Sequence, residues 1–415
     1  MDPVQAQYEA YPYPARDPAA EKTRLIVGSP SNLPELNHYL FAGRRDFARP
    51  FRALVAGGGT GDAAIMLAQQ LADASGPGGE AGEVVYLDLS AAAREIAEAR
   101  AEVRGLGNIT FRTGSLLDLP DLGLGTFDYV DCCGVLHHLE DPPAGLAALA
   151  AMLAEHGGIG LMVYAPYGRN GVYPLQDMLR QLAGDLPLAE RVGLAKRLIA
   201  GLPETNGFRR NPFLGDHRRG DAELVDLLLH ARDRAYTVTE LADLVAGAGL
   251  TPVALVEPAR YRPESYLPAP AILKRLAGQD LLARAAFAER LAGNIRKHVL
   301  YTVKAGTRED RIALPEAPET VPLLFDLDRP ALARAVQRDL TLKADFDGLA
   351  LRFPLPRLAP AILQRIDGRR SLGAIFDALQ GLDARLDWPA FLAQFRETFA
   401  AFGGINRMFL RLPPG

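Results

Sequence analysis

A glycine-rich turn limits how this chain can fold more than any other feature of its sequence. In LVAGGGTGDAAIMLAQQL, residues 54–71, four glycines fall within the five positions 57–61, between a short apolar run and a run with helical spacing. Glycine lets a strand turn sharply into a helix, and the start of a helix presents unpaired N–H groups. The pattern predicts a strand, a turn and a helix with a nucleotide-type cofactor against the turn. A tight turn without a ligand is the alternative.

The turn lacks part of the dinucleotide-binding pattern. That pattern, G-x-G-x-x-G, uses its third glycine for helix packing and places a pyrophosphate above the start of the helix. The third glycine position is occupied by Asp62. Because a carboxylate there would oppose a pyrophosphate, the sequence favours a cofactor with little negative charge near the turn.

Short β-rich runs alternate with helical runs between Leu54 and about Ala165. The predicted strands are Ala53–Ala56, Val84–Asp88, Ile109–Thr113, Phe127–Cys133 and Ile159–Ala165, and the predicted helices are Asp62–Ala72, Ala91–Arg104 and Pro143–Leu153. Repeated βα units of this kind form a mostly parallel sheet. The predicted fold class is therefore α/β and doubly wound.

The rest of the chain predicts additional strands, an insertion and a second domain. A helical stretch to about His230 is followed by predicted elements at Thr239–Ala248, Pro252–Val256, Ala269–Leu291 and Val299–Lys304. The polar, proline-containing segment 307–322 is typical of a linker. We expect an N-terminal strap or lid at 1–51, a main domain at 52–306 with a helical insertion at about 171–235, and a small α-rich domain at 323–415, for which a winged-helix type is one interpretation. Helices at Ala359–Ile366, Leu372–Leu379 and Pro389–Phe402 and an edge strand at Met408–Leu412 are expected in the last domain.

Asp88 is the strongest single candidate for a binding residue. It ends the predicted strand in VVYLDLS, at the carboxyl edge of the sheet beside the glycine turn. Ligands of open α/β sheets bind at this edge, and a carboxylate there can accept both ribose hydroxyls. An N-cap role for the next helix is the alternative, although Ser90 is better placed for it.

The glycine turn, Asp88, TGSLLDLP and FDYVDCCGVLHHLED together resemble the class I S-adenosylmethionine-dependent methyltransferases over about Phe41 to Gly306. The resemblance implies a seven-stranded, Rossmann-like sheet whose last strand is antiparallel, and S-adenosyl-L-methionine as cofactor. By similarity, Gly57, Gly59 and Gly61 would face the methionine part of the cofactor, and Asp88 would face its ribose. Ser115 and Leu116 would face the adenine, and Cys133 to Val135 would line the path beneath the cofactor. The implied cofactor-binding set is Tyr13, Gly57, Gly58, Gly59, Gly61, Asp88, Leu89, Ser115, Leu116, Cys133 and Gly134.

Two positions depart from the family pattern. Val55 stands where an acidic residue is usual, and Ser115 stands where Asp is frequent. These departures keep a non-catalytic binding module as an alternative to an enzyme. An NAD-dependent oxidoreductase is a weaker alternative, because Asp62 replaces the third glycine.

The acceptor side of a methyltransferase site is expected beyond the fourth and fifth strands. His137 or His138 could act as a base for a hydroxyl or ammonium acceptor, with a helix start as the alternative. Tyr164, Tyr167 and Arg169 follow the fifth strand and are candidates for the acceptor pocket, with an arginine that only pairs a carboxylate as the alternative. Tyr13 belongs to the YEAYPYP segment, which predicts either a lid over the cofactor or a packed strap.

The amino-acid composition limits the classes of partner that the chain is expected to bind. A net charge of −4 and a pI near 6.0 give no general basic field for nucleic acid. The adjacent Cys132 and Cys133 lack zinc spacing, so no metal is predicted. No apolar run is long enough for a membrane span and the first residues do not have the pattern of a leader, so a cytoplasmic location is expected. The acceptor, a small molecule or a protein, is the expected partner, and a homo-oligomer is allowed.

Overall fold

Seven strands form the main sheet in the computed structural model, which describes residues 2–76, 78–80, 82–307 and 310–414. The strands are β1 Arg52–Ala56, β2 Glu83–Asp88, β3 Ile109–Thr113, β4 Phe127–Cys133, β5 Leu153–Tyr164, β6 Leu250–Leu255 and β7 Lys297–Lys304. Their order across the sheet is β3-β2-β1-β4-β5-β7-β6. Strands β1 to β5 pair in parallel, and β7 runs antiparallel to β5. The predicted doubly wound, mostly parallel fold is confirmed.

Helices follow the strands as the alternating pattern predicts. The α-helices are α1 Pro3–Ala10, α2 Leu33–Leu40, α3 Asp62–Ser75, α4 Ala91–Arg104, α5 Pro142–Ala151, α6 Val172–Ala183, α7 Leu188–Ala200, α8 Gly207–Arg210, α9 Asp221–Leu224, α10 Val238–Gly247, α11 Pro270–Leu276, α12 Leu281–Ala292, α13 Arg329–Asp339, α14 Ala359–Arg365, α15 Leu372–Gln380 and α16 Trp388–Gly404. Short 3₁₀ segments occur at Pro18–Lys22, Leu116–Asp121, Leu136–His138, Asp216–Arg218, Pro258–Tyr261 and Pro263–Ser265, and a π-helical turn occurs at Val225–Leu229.

Local chemistry sets the ends of the helices beside the glycine turn. Helix α3 begins directly after Gly61, whose φ of +102° is open to glycine at little cost. Helix α4 begins at Ser90, whose Oγ accepts a hydrogen bond from Ala93 N at 3.1 Å, so Ser90 is the N-cap as expected. It ends at Gly105, which has a φ of +68°. The glycine turn therefore lies at the carboxyl edge of β1, beside the end of β2.

Two predicted elements differ from the structure for identifiable reasons. The helix expected over Ala269–Leu291 is two helices, α11 and α12, because Asp280 caps the second one: its Oδ1 accepts from Ala283 N at 2.8 Å. The helix expected to reach Leu153 ends at Ala151, since Leu153 already pairs with Phe127 in the sheet.

Two compact units divide the described residues. The first comprises the residues up to Asn32, Phe47–Thr251 and Gly293–Ala305, and the second comprises Leu33–Asp46, Pro252–Ala292 and the residues from Gly306 onward. In this division neither unit is continuous in sequence, whereas the predicted main domain runs continuously over 52–306. The predicted domain boundaries stay predictions. Within the first unit, apolar residues of α6, α7 and the π-helical turn form a separate small core, which fits the predicted helical insertion.

The second unit contains strands that the sequence pattern did not predict. They are β8 Val321–Leu324, β9 Thr341–Phe346 and β10 Leu349–Pro354. Strand β8 pairs with β11 Met408–Arg411, and β9 pairs with β10 as a hairpin. Since β8 begins at Val321, the end of the predicted linker 307–322 belongs to a strand, while Arg308 and Glu309 of that linker lie outside the described residues. Buried aromatic residues of α16 supply much of this unit's core.

Candidate active site

The glycine turn is packed tightly by its protein neighbours. Gly57 N and Gly58 N both donate to the carbonyl of Leu87, at 2.8 Å and 3.1 Å. A Cβ on Gly57 would lie 2.2 Å from Val135 Cγ2, and one on Gly58 would lie 2.3 Å from Tyr86 Cε2. These contacts alone require glycine at both positions. Packing alone therefore accounts for glycine at positions 57 and 58.

Asp88 faces this turn from the end of β2. Its Oδ2 accepts from Gly59 N at 2.7 Å, and its Oδ1 accepts from Ser90 N at 2.9 Å. Burial raises the pKa of the Asp88 carboxyl above its ordinary value, although the two backbone hydrogen bonds work in the opposite direction. Each oxygen keeps a second lone pair, so the carboxylate can still accept two further hydrogen bonds.

The N-terminal segment crosses directly over the turn. The carbonyl oxygen of Tyr13 lies 2.7 Å from the place that a Cβ on Gly59 would take. Thr60 Oγ1 donates to Pro14 O at 2.7 Å, and Arg16 forms a two-pronged ion pair with Asp62 at 2.9 Å and 2.6 Å. Tyr13, predicted to bind the cofactor, is therefore next to the turn.

A buried ion-pair network holds the same segment in place. Arg100 donates to Glu21 Oε1 at 3.0 Å and 2.6 Å, to Thr60 O at 2.6 Å and to Asp62 Oδ1 at 2.8 Å. Glu21 also pairs with Arg104. Burial works to raise the pKa of the Asp62 carboxyl, but the pairs with arginine outweigh it and hold that pKa below its ordinary value. The charge of Asp62 at the helix start is therefore balanced by arginine, which the sequence did not reveal.

The remaining predicted cofactor residues lie in the loops after β2, β3 and β4. Leu89 is half-buried, and its carbonyl accepts from Gln5 Nε2 at 3.1 Å. Ser115 caps the following 3₁₀ segment by accepting from Leu117 N at 3.1 Å, and Leu116 is buried. Cys133 and Gly134 are half-buried at the end of β4. All of these residues follow parallel strands, so they lie along the edge that holds the turn and Asp88.

His137 and His138 are both buried and contact each other, with ring centroids 4.1 Å apart. Neither ring nitrogen of His137 has a hydrogen-bond partner in the described part of the chain. Burial, followed by the neighbouring His138, lowers the pKa of the His137 imidazole well below its ordinary value, so this ring is neutral at neutral pH. His138 is oriented by its Nδ1, which lies 2.7 Å from Arg232 O.

Asp226, which the sequence analysis did not select, is a carboxylate that lies beside His138. Tyr164, the last residue of β5, donates to Asp226 Oδ2 at 2.9 Å, and Tyr8 donates to Oδ1 at 3.2 Å. His230 Nε2 lies 3.0 Å from the Tyr8 hydroxyl, and the His230 ring stacks on His138 at 3.6 Å. A single aspartate inside the otherwise apolar run LVDLLL was the available signal, because an isolated charge in a buried helix usually has a role.

Arg169 is buried and fully engaged beside this cluster. It donates to Asp233 Oδ2 at 2.8 Å and to the Tyr173 hydroxyl at 3.2 Å, and its guanidinium lies 3.7 Å from the centre of the Tyr164 ring. The structure thus shows Arg169 paired with a carboxylate, as one of the two interpretations has it. Tyr167 is half-buried in the turn that follows β5.

His138, Asp226 and His230 also form a three-residue grouping with potential metal-ligand atoms within 4.8 Å of one another. Arg232 N donates to His230 Nδ1 at 3.0 Å, which puts the proton of the neutral ring on Nε2, facing Tyr8. A metal at Nε2 would need that nitrogen deprotonated. Because both Asp226 oxygens also accept from tyrosine, we interpret the grouping as a hydrogen-bond network.

Comparison with known proteins assigns this arrangement to a family. Residues 54–159 match the family model for a methyltransferase domain. The chain carries a methyltransferase domain, in a fold that it shares with S-adenosylmethionine-dependent methyltransferases. The matched range begins in β1 and ends in β5, and it contains the glycine turn, Asp88 and the two histidines. The resemblance seen in the sequence is confirmed.

Solved structures extend the likeness of this methyltransferase fold beyond the matched range. The structure of PKMT2 from Rickettsia typhi in complex with AdoHcy superposes with a TM-score of 0.63 at 14% identity, covering 92% of this chain and 76% of that one. A second structure of PKMT2 from Rickettsia typhi gives a TM-score of 0.62 at 16% identity, covering 97% of this chain and 75% of that one. At these identities the likeness shows the fold.

A sequence relative is an uncharacterised protein of Synechococcus sp. It is 33% identical over 273 residues, which are 63% of this chain and 61% of the relative. The chain therefore matches the methyltransferase family model over residues 54–159, and it matches an uncharacterised relative over a longer stretch. Within the described residues, no helix is long and apolar enough to cross a membrane.

Proposed function

We propose that this methyltransferase domain binds S-adenosylmethionine in the crevice between the glycine turn and Asp88, and transfers its methyl group to an acceptor that binds beside Tyr164. The observation that carries the proposal is the pairing of Asp88 Oδ2 with Gly59 N at 2.7 Å. This bond joins the turn after β1 to the end of β2, where a class I domain would bind the adenosyl group. The lone pairs left on Asp88 suit the two ribose hydroxyls.

The other predicted cofactor residues support the same position. Leu89, Ser115 and Leu116 lie in the loops after β2 and β3, where the family places ribose and adenine. Cys133 and Gly134 end β4, and Tyr13 reaches the turn from the N-terminal segment. We infer that this segment completes the cofactor site, since the Tyr13 carbonyl lies against Gly59 and Pro14 accepts from Thr60.

S-adenosylmethionine, when bound, supplies a methyl group on a positively charged sulfur. Transfer is an in-line displacement, so the protein aligns the attacking atom and excludes water. No covalent intermediate with the protein is required. The tasks left for the chain are to hold the acceptor beside the carboxyl edge and to receive a proton from it where the acceptor carries one.

The acceptor, a small molecule or a protein side chain, is the only partner that the proposal requires. We also propose a cytoplasmic location, because Cys132 and Cys133 are free thiols, as is usual in a reducing compartment. Incubation with radiolabelled S-adenosylmethionine and fractionated lysate separates the two acceptor types by the fraction that carries the label.

Replacing Asp88 tests the cofactor site. Asp88→Ala should weaken the binding of S-adenosylhomocysteine by about 1–3 kcal/mol, since hydrogen bonds to a charged group are lost. Asp88→Asn should also weaken binding, because its amide NH2 would have to face either Gly59 N or Ser90 N. Isothermal titration calorimetry measures both, with Asp73→Ala, an exposed aspartate of α3, as the matched control. Unchanged affinity in Asp88→Ala, or no heat with the wild type at saturating ligand, would contradict the proposal.

A further inference from the structure

Asp226 is a buried carboxylate that forms no ion pair with an arginine or lysine in the described part of the chain. It is 3% exposed, and its two oxygens accept from the neutral hydroxyls of Tyr8 and Tyr164. Burying a carboxylate costs several kcal/mol unless an opposite charge or enough hydrogen bonds offset the cost. Such a site gains most from a ligand that brings a positive charge.

Arg169, Arg16 and Arg232 each pair with carboxylates other than Asp226. Arg169 pairs with Asp233 at 2.8 Å, and Arg16 pairs with Asp62 at 2.6 Å. Arg232 pairs with Asp2 at 2.9 Å and with Glu140 at 3.0 Å. Burial keeps the His230 ring neutral by lowering its pKa well below the ordinary value. Among the described residues, no ion pair of Asp226 is present.

Aromatic side chains lie around Asp226. The Tyr8 ring meets His230 edge-on with centroids 5.6 Å apart, and the Tyr164 ring lies 4.0 Å from His137. A buried carboxylate held by two tyrosine hydroxyls is the chemistry that recognises an ammonium group by charge and by hydrogen bonds. His137 adds an independent sign of a polar ligand, because it is 1% exposed and neither of its ring nitrogens has a partner within the described ranges.

The carboxylate also lies close to the proposed cofactor site. Ser90, two residues after Asp88, donates to Tyr8 O at 3.3 Å, while the hydroxyl of Tyr8 reaches Asp226. Tyr164 ends β5 at the same edge of the sheet as Cys133, whose partner in the register is Met162. Tyr8 and Tyr164 therefore connect Asp226 to the two sides of the crevice.

We propose that the methyl acceptor is an amine and that the Asp226 carboxylate binds its nitrogen, with Tyr8 and Tyr164 positioning that carboxylate. This inference rests on the proposed function. The amine enters as an ammonium and loses one proton to the Asp226–histidine network and then to water. The nitrogen lone pair forms the new C–N bond as the C–S bond breaks, and the electron pair of that bond stays on sulfur. One proton is released per methyl group, and the product is a methylated ammonium.

A binding experiment separates this inference from the proposed function. Calorimetry with S-adenosylhomocysteine alone first establishes the cofactor site. With that ligand saturating, we expect n-butylammonium chloride to bind at least tenfold more tightly than n-butanol, and sodium butyrate to bind no better than n-butanol. Normal binding of S-adenosylhomocysteine without a preference for the ammonium would overturn the amine inference alone.

Substitutions test whether Asp226 causes the preference for the ammonium ligand. Asp226→Asn should lose at least tenfold in n-butylammonium affinity while its S-adenosylhomocysteine affinity stays within about twofold, which also shows that the variant is folded. Tyr164→Phe, which removes only one hydroxyl, should show a smaller loss. Asp177→Asn, an exposed aspartate of α6, is the matched control. Equal ammonium affinity in Asp226→Asn and the control would overturn the assignment.

The chemistry of the transferred label gives a second readout. Methyl groups on nitrogen survive mild base, whereas methyl esters release volatile methanol. We expect the label transferred to lysate components to be stable to base, in the small-molecule fraction for a free amine and in the protein fraction for a side-chain amine. Release of the label as methanol would overturn the inference and indicate a carboxylate acceptor.

Discussion

Asp131, on β4, has another buried carboxylate, which lies inside the sheet. Ser31 Oγ donates to its Oδ2 at 2.5 Å, and Ser31 Oγ lies 2.9 Å from the Tyr129 hydroxyl. Burial raises the pKa of the Asp131 carboxyl from 3.8 to about 6, although the hydrogen bond from Ser31 works to lower it. The folded state therefore binds more protons than the unfolded state between these two values.

The sign of this effect gives a prediction. As pH rises from about 4 to about 6, Asp131 should subtract up to about 3 kcal/mol from the free energy of unfolding, because a shift of one pKa unit is worth about 1.4 kcal/mol. Asp131→Asn should remove this loss, so its stability relative to the wild type should rise over the same range. Urea unfolding at several pH values measures it, with the exposed Asp121→Asn as control. A difference that stays flat with pH would refute the prediction.

For individual residues, part of the candidate site could be predicted from the sequence. The glycine turn and Asp88 could be selected because they follow strands that alternate regularly with helices, so their place at one edge follows from the topology. Asp226 and Tyr8 could not, because 218 positions separate them in the chain and only the folded insertion brings them together. Arg169 was ambiguous for a related reason: its partner Asp233 lies 64 positions away.

Among the elements, the N-terminal segment is anchored by the ion pairs of Glu21. Glu21 is 5% exposed and accepts from Arg100, which is 1% exposed, and from Arg104. Glu21→Gln should cost about 3 kcal/mol in stability, at the low end for breaking a buried pair, since Arg100 keeps Asp62. Urea unfolding measures the loss, and Glu102→Gln on the exposed face of α4 is the control.

The same variant should also affect the ligand site. If the segment completes the cofactor site, Glu21→Gln should weaken S-adenosylhomocysteine binding and speed cleavage by trypsin within residues 16–24, and Glu102→Gln should do neither. Normal affinity together with rapid cleavage would show that the segment is not part of the binding site.

The strands of the sheet were predictable because each is a short apolar run between turn residues, and β3 and β4 have the predicted bounds. Strands β9 and β10 were missed, although Asp347 and Gly348 form their two-residue turn with φ values of +52° and +81°. An Asp-Gly pair between β-rich runs is a hairpin signal, and the sequence analysis did not use it. Strand β8 was missed because Pro322 lies inside it, and proline usually argues against a strand.

On the scale of the whole molecule, the two compact units have separate apolar cores. Buried residues of β9, α14, α15 and α16 belong to one core of the second unit, which contains none of the residues predicted to bind the cofactor. The proposed cofactor site, its N-terminal segment and the amine site all belong to the first unit. Ligand binding at these proposed sites should therefore stabilise the first unit.

Hydrogen exchange can show this division directly. A ligand at 100 times its dissociation constant stabilises the state that binds it by about 2.7 kcal/mol, which slows exchange through local opening up to about 100-fold. With S-adenosylhomocysteine we expect slower exchange at residues 57–62, 86–91 and 113–117 and in the N-terminal segment 8–16. Amides of α15 and α16 should be unaffected. Protection confined to α15 and α16 would mean that the ligand binds the second unit, and Asp88→Ala measured in parallel should lose the protection of the first.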